Sequence, residues 1–196
     1  MASIPTNLES KFPANVIVGN KEIWVKLFIT GFIIGILLLP VFGFLYVRFG
    51  YAPVATAAPP FPFEKRLAHM ALKARIAKEA PKNVPIAANA ENYQAGATLY
   101  RTNCAVCHGL PGQLPSPTSK GMFPEPPQLF KGHGVTDDPA GETYWKVANG
   151  IRLTGMPSYT GALSDKEMWQ LSLMLANADK IPADVRTQLQ QPLEIH

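Results

Sequence analysis

The two cysteines of this 196-residue chain stand three positions apart, and a histidine follows the second directly: Cys104-Ala105-Val106-Cys107-His108. Thiols this close cannot staple a small secreted fold by a disulfide framework, so the group is a local chemical site. A structural zinc ion needs about four ligands, and the sequence offers no second Cys/His pair. A redox-active dithiol of the thioredoxin kind belongs in a βαβ context, which is missing. The remaining chemistry is covalent haem attachment, for which Cys-x-x-Cys-His is the signature. Two thiols at this spacing on a helix end can reach both vinyl groups of one porphyrin. The adjacent histidine then falls beneath the iron as its proximal ligand. The motif therefore implies one covalent haem c on Cys104 and Cys107, with His108 on the metal.

The elements around the motif resemble the class I c-type cytochromes, in their monohaem, N-terminally membrane-anchored bacterial form. The resemblance covers residues 89–180 and implies a mostly α fold around one haem. In that family the first helix carries a glycine and an aromatic four residues apart, with the aromatic four before the first cysteine. Gly96, Tyr100 and Cys104 match this spacing. The glycine lets a C-terminal helix cross closely. Here that helix is Ser164–Ala178, opened by a Ser164/Glu167 capping box and lined on one face by Met168, Leu171 and Leu175. Trp169, Met174 and Leu173 are alternatives for the residue at the crossing.

The resemblance also implies a distal methionine in a loop before the last helix, commonly within Gly-Met-Pro, and Gly155-Met156-Pro157 stands there. A thioether favours ferrous iron and raises the potential relative to two histidines. Met156 is thus the expected sixth ligand. His133 and Met122 are the other candidates; Met168 and Met174 read as core, and His69 and His196 lie outside the domain. A ligating histidine usually donates its other ring N–H to a fixed acceptor. In the family this is a carbonyl of a proline-containing loop, here the Pro126–Pro127 region of FPEPPQL. Trp145, on a helix over 141–149, and Tyr159 are candidates to pack on or hydrogen-bond the haem. Arg152 is a candidate partner for a propionate. Each of these three is equally compatible with an ordinary core or surface position.

Before this domain, Leu27 to Val47 is 21 residues without a charge, enough to cross a hydrocarbon core of about 30 Å as a helix. Trp24, Tyr46 and Tyr51 suit the two interfaces. The competing reading is a cleaved secretory signal, with Ala55-Thr56-Ala57 as its cleavage site, but secretory apolar cores run only about 7–15 residues. A retained anchor is expected. Lys11, Lys21 and Lys26 precede the span and Arg48 follows it, so the positive-inside rule places the N-terminus in the cytoplasm and the rest outside. Gly31, Gly35 and Gly43 share one helix face, a surface on which a partner subunit could dock.

The chain accordingly divides into a cytoplasmic segment 1–26, a transmembrane anchor 27–47, a linker and juxtamembrane helix 48–88, the haem domain 89–180 and a C-terminal extension 181–196. The linker has four prolines in Ala52–Pro62 and reads as a semi-stiff tether. Residues 64–82 are helical in composition, with Leu67, Ala71 and Ala74 aligned while Leu72 and Ile76 point elsewhere. They form either a solvated spacer or a helix covered by a partner.

Charge excludes a nucleic-acid partner. Residues 1–90 hold 10 Lys and Arg against 4 Asp and Glu, and residues 91–196 hold 8 against 10. The basic excess lies with the membrane segment, and basic residues interleaved with aromatics are absent. With both axial positions filled, the iron has no open site for a small-molecule substrate. The expected role is electron transfer, not catalysis, from the cytoplasmic (inner) membrane with the haem domain in the periplasm. Its partners would be other electron-transfer subunits of a respiratory complex; a freestanding anchored shuttle is the alternative, and an enzyme or sensor a more distant one.

Overall fold

The computed structural model describes residues 15–131 and 138–192. Lys11, His133 and His196 lie outside the described residues. The chain forms two compact units, Met1–Pro53 and Val54–His196. Among the described residues there are eight helices and no strand.

In the first unit, helix α1 runs over Asn15–Arg48 and contains the expected span, with Pro40 inside it. Its stretch Lys21–Arg48 is long and apolar enough to cross a membrane. From Ile23 to Val47 its large apolar side chains are all exposed. A helix apolar on every side is of the kind that lies in a protein core or crosses a membrane. Gly31, Gly35 and Gly43 have open space where a Cβ would stand.

In the second unit, α3 (Ala90–Asn103) and α7 (Asp165–Ala176) form the central crossing. Gly96 is required there. A Cβ on it would run into the Gln170 carbonyl and come within 2.7 Å of Met174 Cβ. The residue at the crossing is therefore Met174, not Trp169 or Leu173. The capping box at Ser164 and Glu167 is formed, and Met168, Leu171 and Leu175 are all buried. The buried Gln170 amide donates to Asn92 Oδ1 at 2.9 Å, and Asn92 Nδ2 donates to the Ala87 carbonyl at 2.8 Å, so these core polar groups are matched. Helix α6 (Ala140–Asn149) packs on α7, with Tyr144 stacked on Trp169 at 4.2 Å and its hydroxyl donating to Asp165.

Two segments set apart by the sequence reading join this unit. Residues after 180 are expected as an extension, yet α8 (Ala183–Gln190) sinks Val185 and Leu189 into the core beside Ile181. Arg101 of α3 ties it down by donating to the carbonyls of Gln188 (2.9 Å), Gln191 (2.6 Å) and Pro192 (3.1 Å). These carbonyls lie at and just beyond the C-terminal end of α8, where a cation is favoured. Helix α2 (Glu64–Glu79) lies against α6: Ile76 is buried and the chain after it passes so close that a Cβ on Gly141 would strike the Pro81 carbonyl. Its C-terminal half is thus neither a solvated spacer nor left for a partner alone, because the domain itself covers one face.

Candidate metal centre

Helix α3 ends at Asn103, and one further turn, α4 (Ala105–His108), begins at once. Cys104 joins the two; its carbonyl accepts from the N–H groups of Cys107 (3.1 Å) and His108 (2.9 Å). This turn fixes the two thiols and the imidazole on one short stretch of backbone. His108 donates its Nδ1–H to the Pro127 carbonyl at 2.9 Å. A carbonyl only accepts, so the proton is on Nδ1 and the lone pair on Nε2, the arrangement a metal ligand needs. Burial lowers the His108 pKa against the upward pull of the Pro127 bond, which favours the neutral, ligating form.

The proline loop is held in turn. Gln128 Nε2 donates to the Cys107 carbonyl and to Ser119 Oγ, both at 3.4 Å. Ser119 is fully buried on the short helix α5 (Pro117–Lys120). Ser116 caps that helix and donates to the Val106 carbonyl at 2.6 Å. Tyr100, also fully buried, donates to the Gly109 carbonyl at 2.6 Å and meets Phe130 edge-on at 5.1 Å.

Met156 is half-buried and packs against the core cluster that also includes Cys104 and Tyr159 at its margin. Its loop has no regular structure and is held by side chains. Thr154 Oγ1 donates to the Ile151 carbonyl at 2.7 Å and accepts from Met156 N–H at 3.1 Å. Ile151 N–H donates to the Met156 carbonyl at 3.2 Å. Ser158 and Thr160 both donate to the Ala148 carbonyl, at 2.5 and 2.8 Å. Gly150, at φ +65°, lets the loop fold back on α6; a Cβ there would lie 2.6–2.9 Å from backbone atoms of Met156, Pro157 and Ser158. Tyr159 joins the two halves of the centre. Its hydroxyl donates at 2.9 Å to the carbonyl of Asn103, the residue before Cys104. Burial, then the charges of Cys104 and Cys107, raise its pKa.

The structure therefore places Cys104, Cys107, His108, Pro127, Met156 and Tyr159 on three segments, the proline loop and the Met156 loop each bonded to the stretch Asn103–His108. Trp145 is placed elsewhere: its indole donates to Glu79 of α2 at 3.2 Å. Arg152 is exposed on the loop before Met156, and His69 is exposed on α2. Met168 and Met174 are core residues, as expected. Met122 packs its sulfur against Gly155, 3.0 Å from where a Cβ would stand. Sequence reasoning passed over Thr154, Ser116, Ser119, Gln128 and Gly150. Of these, Ser116-Pro117 carries a legible helix-start signal, and Gly150 a helix-stop signal.

These residues fit a porphyrin-borne iron. Neither cysteine is paired in a disulfide. As a free thiol Cys104 is pushed up to about 12, first by burial and then by Cys107, the opposite of the depressed value of a reactive dithiol. Among the described residues no three His, Cys, Asp or Glu side chains converge on an ion. What the site offers is one oriented imidazole nitrogen, one thioether and two thiols beside apolar surface from Leu129, Phe130 and Tyr159. Residues 91–173 match the family model of cytochrome c oxidase, cbb3-type, subunit III. The chain thus carries a c-type cytochrome domain, and that family implies haem c. Comparison with curated proteins finds no match.

Proposed function

We propose that this chain is a membrane-anchored monohaem cytochrome c that passes single electrons on the periplasmic side of the inner membrane, as a subunit of a respiratory complex. The observation that carries the reading is a pair of supports tied to one turn. His108 has its Nδ1–H engaged by Pro127 and a lone pair left on Nε2, and Met156 sits on a loop tied to the same turn through Tyr159 and Asn103. Haem, when bound through Cys104 and Cys107, supplies the one-electron couple; the chain sets access and potential. His108 and Met156 would both hold the iron and would leave no position for a substrate, which favours electron transfer over catalysis. The match of residues 91–173 to an oxidase-subunit family supports a place in a membrane complex. Helix α1 supports anchoring, and Lys11, Lys21 and Lys26 before it support a cytoplasmic N-terminus. Gly31, Gly35 and Gly43 are the proposed face for a neighbouring subunit.

The test uses the full chain made in cells that attach haem. Haem that stays with the polypeptide under denaturing conditions, at one per chain by intact mass, supports the attachment. The weak far-red band of a sulfur-ligated ferric haem should be present and absent in Met156→Ala; its persistence would remove Met156 from the iron. Extraction in mild detergent followed by size-exclusion then separates the two partner readings. Co-migrating subunits support the complex, and a lone protein supports the shuttle.

A further inference from the structure

Helix α4 ends at His108, so its last carbonyls have no helical partner of their own. Those of Val106 to Gly109 are instead taken from outside the turn. Val106 accepts from Ser116 Oγ at 2.6 Å, Cys107 from Gln128 Nε2 at 3.4 Å, His108 from Leu129 N–H at 3.4 Å and Gly109 from Tyr100 at 2.6 Å. The outer two bonds are short and fix the ends of the stretch. The inner two are long, and both come from the segment that also presents the Pro127 carbonyl to His108. That segment has few donors to give, because Pro126 and Pro127 carry no backbone N–H. The side chain that supplies one is Gln128.

Bonds of 3.4 Å lie beyond the ordinary hydrogen-bond range and would fix little by themselves. Steric fit supplies the rest. Gln128 Oε1 fills the space beside Gly109, where a Cβ would lie 2.1 Å from it. Gly109 holds φ +71°, which glycine adopts without steric cost. The same amide meets Ser119 Oγ of α5 at 3.4 Å, and Ser119 is fully buried. The amide is therefore held between the haem-attachment turn and α5, one peptide bond from the carbonyl that orients the imidazole. A shift of this side chain is passed directly to that carbonyl.

We infer that Gln128 is a positioning residue for the proximal ligand: its amide sets how closely the Pro127 carbonyl approaches His108 Nδ1, and through that bond the potential of the centre. The bond makes the imidazole a more basic ligand, which favours ferric iron. Loosening it should therefore raise the potential. The inference rests on the proposed ligation of iron by His108.

The test uses the full chain with haem attached, in native form and as Gln128→Met and Ser119→Ala. Methionine matches the length of glutamine without its N–H groups. Ser119→Ala leaves Gln128 in place and removes one of its partners. Two quantities are read in each: the midpoint potential, and the rate at which the His108 Nδ1 proton exchanges with deuterium in the ferrous state, followed by NMR of the nitrogen-labelled chain. In Gln128→Met exchange should be several-fold faster, and the reduction equilibrium should move several-fold toward ferrous iron, a tenfold move being about 59 mV. Ser119→Ala should show both changes in smaller size, and it decides by the same criteria if Gln128→Met does not hold haem. The Leu171 N–H on α7 is the control, because a general loss of stability would speed it equally. A native value of either quantity in Gln128→Met overturns the inference, and so does equal acceleration at Leu171. A native chain whose His108 ring signals lack the large displacement caused by a porphyrin overturns the ligation itself, and this inference with it.

Discussion

His108 is the last residue of α4, the turn that follows α3, whereas Met156 lies within the 15 residues that separate α6 from α7. The first position is inherited from helical register: once α3 is packed on α7 through Gly96 and Met174, the turn after it has little freedom. Only the orientation of the ring needs a separate contact, from Pro127. The second position has no register to inherit. It is assembled from Thr154, Ser158, Tyr159 and Thr160, each making a side-chain bond to a carbonyl, and from the close return at Gly150. The histidine side is therefore vulnerable to changes in packing and the methionine side to single loop substitutions.

The sharpest way to break this difference is Gly150→Ala. The alanine would have to hold φ +65° and place its Cβ 2.6 Å from the Ser158 nitrogen. Backbone strain of this kind costs about 1–3 kcal/mol by itself, and the clash adds to it. The loop should move off α6 and take Met156 with it. The expected outcome is loss of the far-red sulfur–iron band in most molecules, with haem still bonded to the chain. A full band in the variant would mean that the loop does not depend on this approach.

Tyr100→Phe strikes the other side. It leaves the Gly109 carbonyl without its buried donor, an omission worth about 1–3 kcal/mol. Because the ring remains packed on Phe130, the band should survive while denaturant unfolding shifts to lower concentration. Tyr159→Phe removes a partly exposed bond between the two sides, so water can replace some of it and the cost falls to about 0.5–1.5 kcal/mol. Its signature should be a separation of two transitions: the band disappears at a lower denaturant concentration than the helical signal. Coincident transitions would show that the two sides are not joined through this hydroxyl.

What could be read from the sequence follows the same division. Cys104 to His108, Gly96, the Ser164/Glu167 box and the apolar face of α7 are local patterns, and their geometry is set within a turn or two of helix. The Pro126–Pro127 expectation narrows to Pro127 because His108 Nδ1 selects one carbonyl. Met174 at the crossing needed the actual helix angle, which periodicity does not encode. The contacts of α2 and α8 with the rest of the unit were not legible for one reason. Glu79 accepts from Trp145 across 66 positions, and Arg101 reaches the end of α8 across about 90. Neither α2 nor α8 carries a motif that announces its neighbour; α8 is only eight residues, with Val185 and Leu189 as its buried pair. Trp145 and α2 claim each other through that same distant pairing.

The smallest expected effect concerns acid and again separates the two sides. Glu167 closes the capping box at the start of α7, immediately after the Met156 loop, and its carboxylate accepts from the Ser164 hydroxyl and the Ser164 N–H. These bonds, the hydroxyl first, hold its pKa below the ordinary carboxylate range. A depressed folded-state pKa means that the contribution is fully present above the unfolded value and fades as pH falls through the folded one. Acidification below about pH 4 should therefore loosen the first turn of α7, and with it the end of the methionine loop, while the Cys104–His108 turn keeps its own bonds. Glu167→Gln retains a capping group without the titration. Melting followed by circular dichroism between about pH 3 and pH 7 should show a shallower acid decline for the variant than for the native chain. An identical decline would place the acid sensitivity elsewhere and leave the capping box as a local feature without influence on the loop before it.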